Sequence, residues 1–363
     1  MSAAISTSRL PSDPTVTIPE ARPAAPAPLG PSCRTLRAGV VGLGHQARED
    51  HLPAIVASEM VDLVAVCDLN TQILDDVRDE YDKPGYTELE EMLATEQLDF
   101  IVVAVPHHAG RRVVKAAAQR GVHVLKEKPF ATSLEEAHDL TGSCADGGIE
   151  LMVTLQRRLN PIYATFPHLY DQIGRPFLID GVYTMSVDPA SGWRGQSRLA
   201  GGGCIIDMGY HMIDMLLWYF GLPDRVLAQS SAAARPELDY DAEDTACVMF
   251  SFDSGLWGRL LLSRCVSPRT ETIRVIGARG SVVLERGRIQ RLLSNGQVVE
   301  SLSREGSWPS AATAQVDHFC RVLMGQRPNT SGPESHLAHA AFIHACYASA
   351  QAGRFVNPKE LIA

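Results

Sequence analysis

Leu36-Arg37-Ala38-Gly39-Val40-Val41-Gly42-Leu43-Gly44-His45-Gln46-Ala47 passes from a short apolar run through spaced glycines into a segment of helical periodicity. Each small residue in this Gly-x-Gly-x-x-Ala turn has a physical reason. Gly42 allows the tight turn, Gly44 lets a pyrophosphate approach the backbone, and Ala47 keeps helix and strand close. The start of the helix then offers N–H groups and a partial positive charge to phosphates, through the backbone of His45 and Gln46 among others. Working outward, strands are expected at 38–42, 63–68, 100–105 and 122–126, and helices at 47–58, 71–80, 88–93 and 109–120. Nearly all-apolar strands alternating with helices predict a parallel sheet covered on both faces, an α/β doubly wound Rossmann domain over residues 35–150. Asp68 closes the second strand, where a carboxylate accepts from ribose hydroxyls, and Leu69 and Asn70 behind it bring no arginine for a 2′-phosphate. NAD is therefore expected rather than NADP.

A chain of 363 residues exceeds one ordinary core of ~100–200 residues and suits two. Its 45% hydrophobic and 21% charged residues place it outside the disordered and fibrous classes. Every apolar run breaks before the ~20 residues a bilayer demands, so no membrane partner is expected. A net charge of -9 argues against nucleic acid, which is held by clustered Lys and Arg, and favours a small-molecule partner. The cysteines are scattered, with no CxxC and no zinc-type Cys/His spacing, which predicts free thiols, no metal and a reducing cytoplasmic setting. Residues 1–34, with Pro11, Pro14, Pro19, Pro23, Pro26, Pro28 and Pro31, are expected to form a disordered or extended tail.

Beyond residue 150 the texture changes. A helix at 161–172 and a long strand at 177–187 lead to a Gly-rich loop and an apolar helix over about 205–220. Strands at 245–252, 256–263, 272–276 and 281–285 follow in uninterrupted series, the first two joined through Asp253-Ser254-Gly255. Such a series predicts an α+β domain over 151–363 with a mainly antiparallel sheet, one face open for a substrate or a second subunit. Helices at 312–324 and 334–353 close the chain.

Two segments carry chemistry. Lys126-Glu127-Lys128-Pro129 ends a strand of the first sheet, where ligands of open α/β sheets sit, so Lys128 and Glu127 are expected at the cofactor crevice and Lys126 in solvent. Gly201-Gly202-Gly203 runs into the apolar helix, on which Asp207, His211 and Asp214 fall within an arc of roughly 60° at ~100° per residue. A polar stripe on a buried helix points to an internal polar cavity.

Gly42-x-Gly44-x-x-Ala47 with His51-Leu52-Pro53-Ala54, Glu127-Lys128-Pro129, and Gly201-Gly202-Gly203-x-x-x-Asp207-x-Gly209-x-His211-x-x-Asp214 together resemble the Gfo/Idh/MocA oxidoreductases, the group containing glucose–fructose oxidoreductase and inositol dehydrogenases. The resemblance spans residues 36–355. It implies a Rossmann domain followed by an α+β domain with a large open sheet, a homodimer or homotetramer, a cis bond before Pro129, and Lys128 and His211 as catalytic pair with Asp207 nearby. Where the family commonly has Asn after the strand-end proline and His three residues later, this chain has Pro106-His107-His108-Ala109-Gly110; Pro106 and His107 are still expected to face the cofactor.

The expected reaction is NAD-dependent oxidation of a secondary hydroxyl of a sugar, cyclitol or amino sugar/aminoglycoside-type substrate, by hydride transfer to the nicotinamide. His211 takes the hydroxyl proton, Asp207 or Asp214 orients its ring, and Lys128 stabilises the alkoxide charge, or Lys128 is itself the base. Arg158, Tyr163, Trp193, Arg194, Asp207 and Asp214 are the expected substrate contacts, as polyhydroxyl binding asks for an aromatic face with paired donors. The acidic balance of the chain suits an aminated substrate. Reduction of a keto sugar uses the same groups in reverse, and a non-catalytic dinucleotide sensor is the reading from another class.

Overall fold

The computed structural model describes residues 34–303 and 308–362; the tail expected at the N-terminus lies outside the described residues, apart from Arg34, which pairs with Asp99. The opening segment forms β1 (Leu36–Val41), followed by β2 (Val61–Cys67), β3 (Gly85–Tyr86), β4 (Phe100–Val103), β5 (His123–Lys126) and β6 (Leu151–Val153). These make one parallel sheet in the order β3-β2-β1-β4-β5-β6. Val41 lies opposite Cys67 on one side and Val103 on the other. That register brings Gly42, Asp68 and Ala104 to one rim, with Gly42 N donating to Cys67 O and Ala104 N to Val41 O. Two elements escape the periodicity: β3 and β6 are too short to show a pattern. A helix not anticipated, Leu134–Asp146, follows β5 and is capped by the Ser133 hydroxyl, which accepts from Glu136 N.

The second sheet comprises β7 (Pro176–Ser186), β8 (Arg225–Ser231), β9 (Thr245–Ser251), β10 (Trp257–Ser263), β11 (Cys265–Gly277), β12 (Gly280–Glu285), β13 (Arg288–Leu293) and β14 (Val298–Ser303). Their order is β14-β13-β12-β11-β7-β10-β9-β8. It is mainly antiparallel, as expected; β7 and β10 alone pair in parallel among its described neighbours. The β9–β10 hairpin closes through Phe252 N to Leu256 O, at the predicted turn.

The apolar helix expected from about 205 begins only at Tyr210 and runs to Phe220. The reason is Glu243, whose carbonyl accepts from Cys204 N and whose carboxylate accepts from Ile205 N, pulling 203–209 into turns. Gly203 allows this approach: a Cβ there would stand 2.0 Å from the Glu243 carbonyl oxygen. Asp207 consequently hangs from a turn ahead of His211.

The C-terminal helices tie the two halves together. Helix Trp308–Leu323, assigned by sequence to the second domain, buries Val316, Phe319 and Cys320 in the core of the first, with Phe319 edge-on to Phe100 at 5.3 Å. Helix Pro333–Ala352 buries Phe342 and Cys346 in the second core while Leu337 and Ala340 pack on the first. This double seating fixes the cleft between the domains. Among the described residues no helix is long and apolar enough to cross a membrane, the cysteines are free, and no His/Cys/Asp/Glu group is arranged to hold a metal.

Candidate active site

β5 delivers Lys126-Glu127-Lys128 to the rim, and the Lys128–Pro129 bond is cis. Lys126 is buried rather than solvated, donating to the carbonyls of Pro129 at 2.5 Å and Glu127 at 3.1 Å; burial pushes its ammonium down to about 8. Glu127 turns away from the crevice to the buried His51 ring, at 2.9 Å. Burial opposes its charge, but that hydrogen bond and the His51 and Lys128 charges hold its carboxyl below the usual range.

Lys128 alone of the three reaches the cleft. Its Nζ donates to Asp207 Oδ1 at 2.8 Å, and Arg194 Nε stands 3.5 Å from Asp207 Oδ2. Burial works against an ionised Asp207, yet Lys128 and Arg194 hold its carboxyl well below the ordinary value. The Arg194 guanidinium lies 4.3 Å over the Trp193 ring, which in turn sits 4.4 Å from His107. His107 donates from Nδ1 to the Ala200 carbonyl at 2.7 Å, a bond that fixes its tautomer. Burial drives its pKa down to about 3, against the pull of Asp207.

His211 is half-buried in the first turn of its helix and makes no hydrogen bond among the described residues. Burial, Arg157 and Lys128 push it well below its ordinary value, outweighing Asp207. The result is a neutral imidazole with an unused acceptor nitrogen, within electrostatic reach of the Lys128 ammonium of the other domain.

The dinucleotide cradle is built as its residue types require. Gly42 takes φ +85°, and a Cβ there would lie 2.6 Å from the Ala104 carbonyl oxygen. Asp68 accepts from Leu43 N at 2.7 Å and from Asn70 N at 2.8 Å, pinning the glycine turn to the end of β2 while each oxygen keeps a lone pair for a ribose hydroxyl. A Cβ on Gly44 would meet nothing within 4 Å, so its face is open to a pyrophosphate. Ala47 is buried at the helix start, His45 is exposed, and Pro106 leads into the short turn His107–Ala109. Gln46 spends its amide on Asp50 instead of facing outward. These residues fit NAD. Gly42→Ala is expected to destabilise the fold by about 2–4 kcal/mol and to weaken NAD binding at least tenfold, measured by urea denaturation and calorimetry; wild-type values in both would contradict the cradle.

Three expected substrate contacts stand elsewhere. Asp214 accepts from Arg158 Nε at 3.1 Å and is paired with His339 Nε2 at 3.0 Å, and Arg158 also donates to the Thr330 carbonyl. Tyr163 is 2% exposed inside the second core. The helical arc places Asp214 near His211 in projection, but what faces it is Arg158 and His339, so it neither orients His211 nor lines a shared cavity. Sequence reading missed Glu271 and Arg269. Arg157 donates to Glu271 at 2.8 Å, and Arg269 bonds to the Tyr183 hydroxyl at 2.9 Å and approaches Glu271 at 3.4 Å. Both stand on β11, whose irregular start carries no local signal of what lies across from it.

The buried histidines give a sign to the pH dependence of stability. His107 and His211 stay neutral in the folded protein, while the unfolded chain takes up protons below pH ~6.5. Stability is therefore fully present above that pH and falls as the solution is acidified, by ~1.4 kcal/mol per pH unit for each such histidine. Urea melts at pH 7.5 and 5 check this; equal stability at both would contradict it.

A glycine turn pinned by a strand-end carboxylate, with a lysine facing a second domain, defines a two-domain dinucleotide-binding oxidoreductase. The family model for the oxidoreductase family with an NAD-binding Rossmann fold matches residues 36–155, and that for the GFO/IDH/MocA C-terminal domain matches 170–283. The chain belongs to the Gfo/Idh/MocA oxidoreductase family. It is 29% identical to a D-apiose dehydrogenase of Paraburkholderia graminis, over 90% of this chain and 91% of that protein. Its fold is similar to an oxidoreductase from Agrobacterium radiobacter solved with NAD+, L-tartaric acid and magnesium (TM-score 0.78, 22% identity, 90% of this chain and 100% of that one). It is also similar to an aldose–aldose oxidoreductase from Caulobacter crescentus (TM-score 0.80, 23% identity, 89% and 100%).

Proposed function

We propose that this oxidoreductase converts a secondary hydroxyl of a sugar or cyclitol to the ketone, with NAD as the oxidant. The observation that carries this reading is the ion pair of Lys128, from the nucleotide-binding domain, with Asp207 of the other, four residues ahead of His211, on whose ring both charges act. His211 accepts the hydroxyl proton, for which its neutral ring is already prepared. Lys128 donates to the same oxygen and stabilises charge developing there, while Asp207 holds the ammonium in place. Bound NAD supplies the two-electron acceptor. Trp193, tilted against His107 and carrying Arg194 over its ring, adds aromatic surface beside the Lys128–Asp207 pair for a sugar to pack on. The named activity of the D-apiose dehydrogenase relative supports a sugar as substrate. Keto-sugar reduction runs the same groups in reverse, with His211 returning the proton.

Homo-oligomerisation fits the second sheet, whose open face leaves Met249 and Trp257 exposed on adjacent strands. A second copy of the chain is the proposed cover. The free thiols fit a reducing cytoplasm.

The test is to follow nicotinamide absorbance with NAD and NADP separately against inositols, pentoses, hexoses, hexuronic acids, sugar phosphates, nucleotide sugars and aminoglycosides. NADH formation with one class, and preference for NAD, is expected. NAD binding with no absorbance change across the panel would overturn the reading in favour of a dinucleotide sensor.

A further inference from the structure

The chain carries a net charge of -9, yet the charges that act on His211 have the opposite balance, Arg157, Lys128 and Arg269 against Asp207. On one side, Lys128 and Arg194 share the single carboxylate of Asp207, at 2.8 and 3.5 Å. On the other, Arg157 and Arg269 share the single carboxylate of Glu271, at 2.8 and 3.4 Å. Each pairing leaves a positive charge over. Placing like charges together at a partly desolvated site opposes folding unless the site's ligand compensates them.

The four cations are not equivalent. Lys128 is committed to the reacting oxygen in the reading above. Arg157 is buried, and its Nη1 has no hydrogen-bond partner, so it acts as a fixed charge behind Glu271. Arg269 is exposed. It precedes Thr270, where the pairing of β11 with β7 resumes after the irregularity that follows Cys265. Its guanidinium lies 5.4 Å over the Tyr183 ring, and only Nη2 is used by Tyr183 and Glu271 among the described residues. The guanidinium is thus held at Nη2 beside the Tyr183 ring, with Nε and Nη1 each available to an oxyanion. A charge-assisted hydrogen bond from either to a carboxylate is about twice as strong as one to a neutral hydroxyl.

We infer that the substrate oxidised at this site is an acid sugar, whose carboxylate is received by Arg269 while its ring hydroxyl faces Lys128 and His211. The inference rests on the dehydrogenase reading and narrows its substrate class. It also reverses the expectation drawn from the whole-chain charge: an amino sugar would bring a further cation into a cationic cleft.

The test measures binding to the NADH-loaded protein by calorimetry, using D-glucuronate against D-glucose and D-galacturonate against D-galactose, with D-glucosamine and D-glucose 6-phosphate alongside. Each uronate is expected to bind at least tenfold more tightly than its neutral partner, and glucosamine least. Arg269→Gln should abolish the preference with NADH affinity unchanged, and Arg269→Lys should restore part of it. Raising the salt concentration should erode the preference in the wild type. Equal or weaker binding of both uronates, no uronate binding by protein that binds NADH, a preference untouched by Arg269→Gln, or tighter binding of glucosamine or glucose 6-phosphate would each overturn the inference. Turnover of neutral sugars without a uronate preference sinks this inference alone; uronate preference without NADH formation from any panel member sinks the dehydrogenase reading and with it the oxidation of the acid sugar, leaving an acid-sugar binding site.

Discussion

Lys128→Met is expected to lower kcat by ~10²–10³-fold, and His211→Ala by ~10²–10⁴-fold, with NAD affinity within a few-fold of wild type in both. The first removes the donor that stabilises charge on the reacting oxygen; the second removes the acceptor for its proton. Neither touches the glycine turn or Asp68, which is why cofactor binding is spared. Steady-state rates on the substrate identified by the absorbance panel, with calorimetry for NAD, separate these effects. Near wild-type turnover in both variants would remove the catalytic assignment.

Asp214→Ala is expected to have the opposite signature. It strands Arg158 and His339, whose side chains are 12% and 2% exposed, against an apolar neighbourhood. Removing one partner of a buried ion pair costs about 3–5 kcal/mol, a large share of the stability of an ordinary domain. The folded fraction should keep kcat within a few-fold of wild type, because Asp214 does not contact His211. Urea denaturation and kcat per folded molecule decide the matter: a stable protein with collapsed kcat would return Asp214 to the orienting role that its helical spacing implies.

The difference between these variants marks what was legible in the sequence. The Rossmann half was readable because its requirements are local: Gly42 must take a positive φ, and Asp68 must close a strand. Lys128 was readable for the same reason, standing at a strand end before a proline. Its bond to Asp207 was not, since it joins residues far apart in sequence across two domains. Helical periodicity placed Asp207, His211 and Asp214 together, but it reports only direction from one axis. Glu243 unwinds the segment that carries Asp207, and Arg158 with His339 claims Asp214. Arg269 was invisible because its importance comes from β11 lying beside β7, a pairing set by the whole second sheet.

The central claim is that Lys128 and His211 serve one oxygen. A double-mutant cycle on kcat with Lys128→Met, His211→Ala and the combined variant tests it most directly. Groups acting as a unit on one proton removal are strongly non-additive, so the double variant should be no slower than the worse single variant by more than a few-fold. Losses that simply multiply would show the two side chains acting on separate events, and the account of this cleft would be wrong.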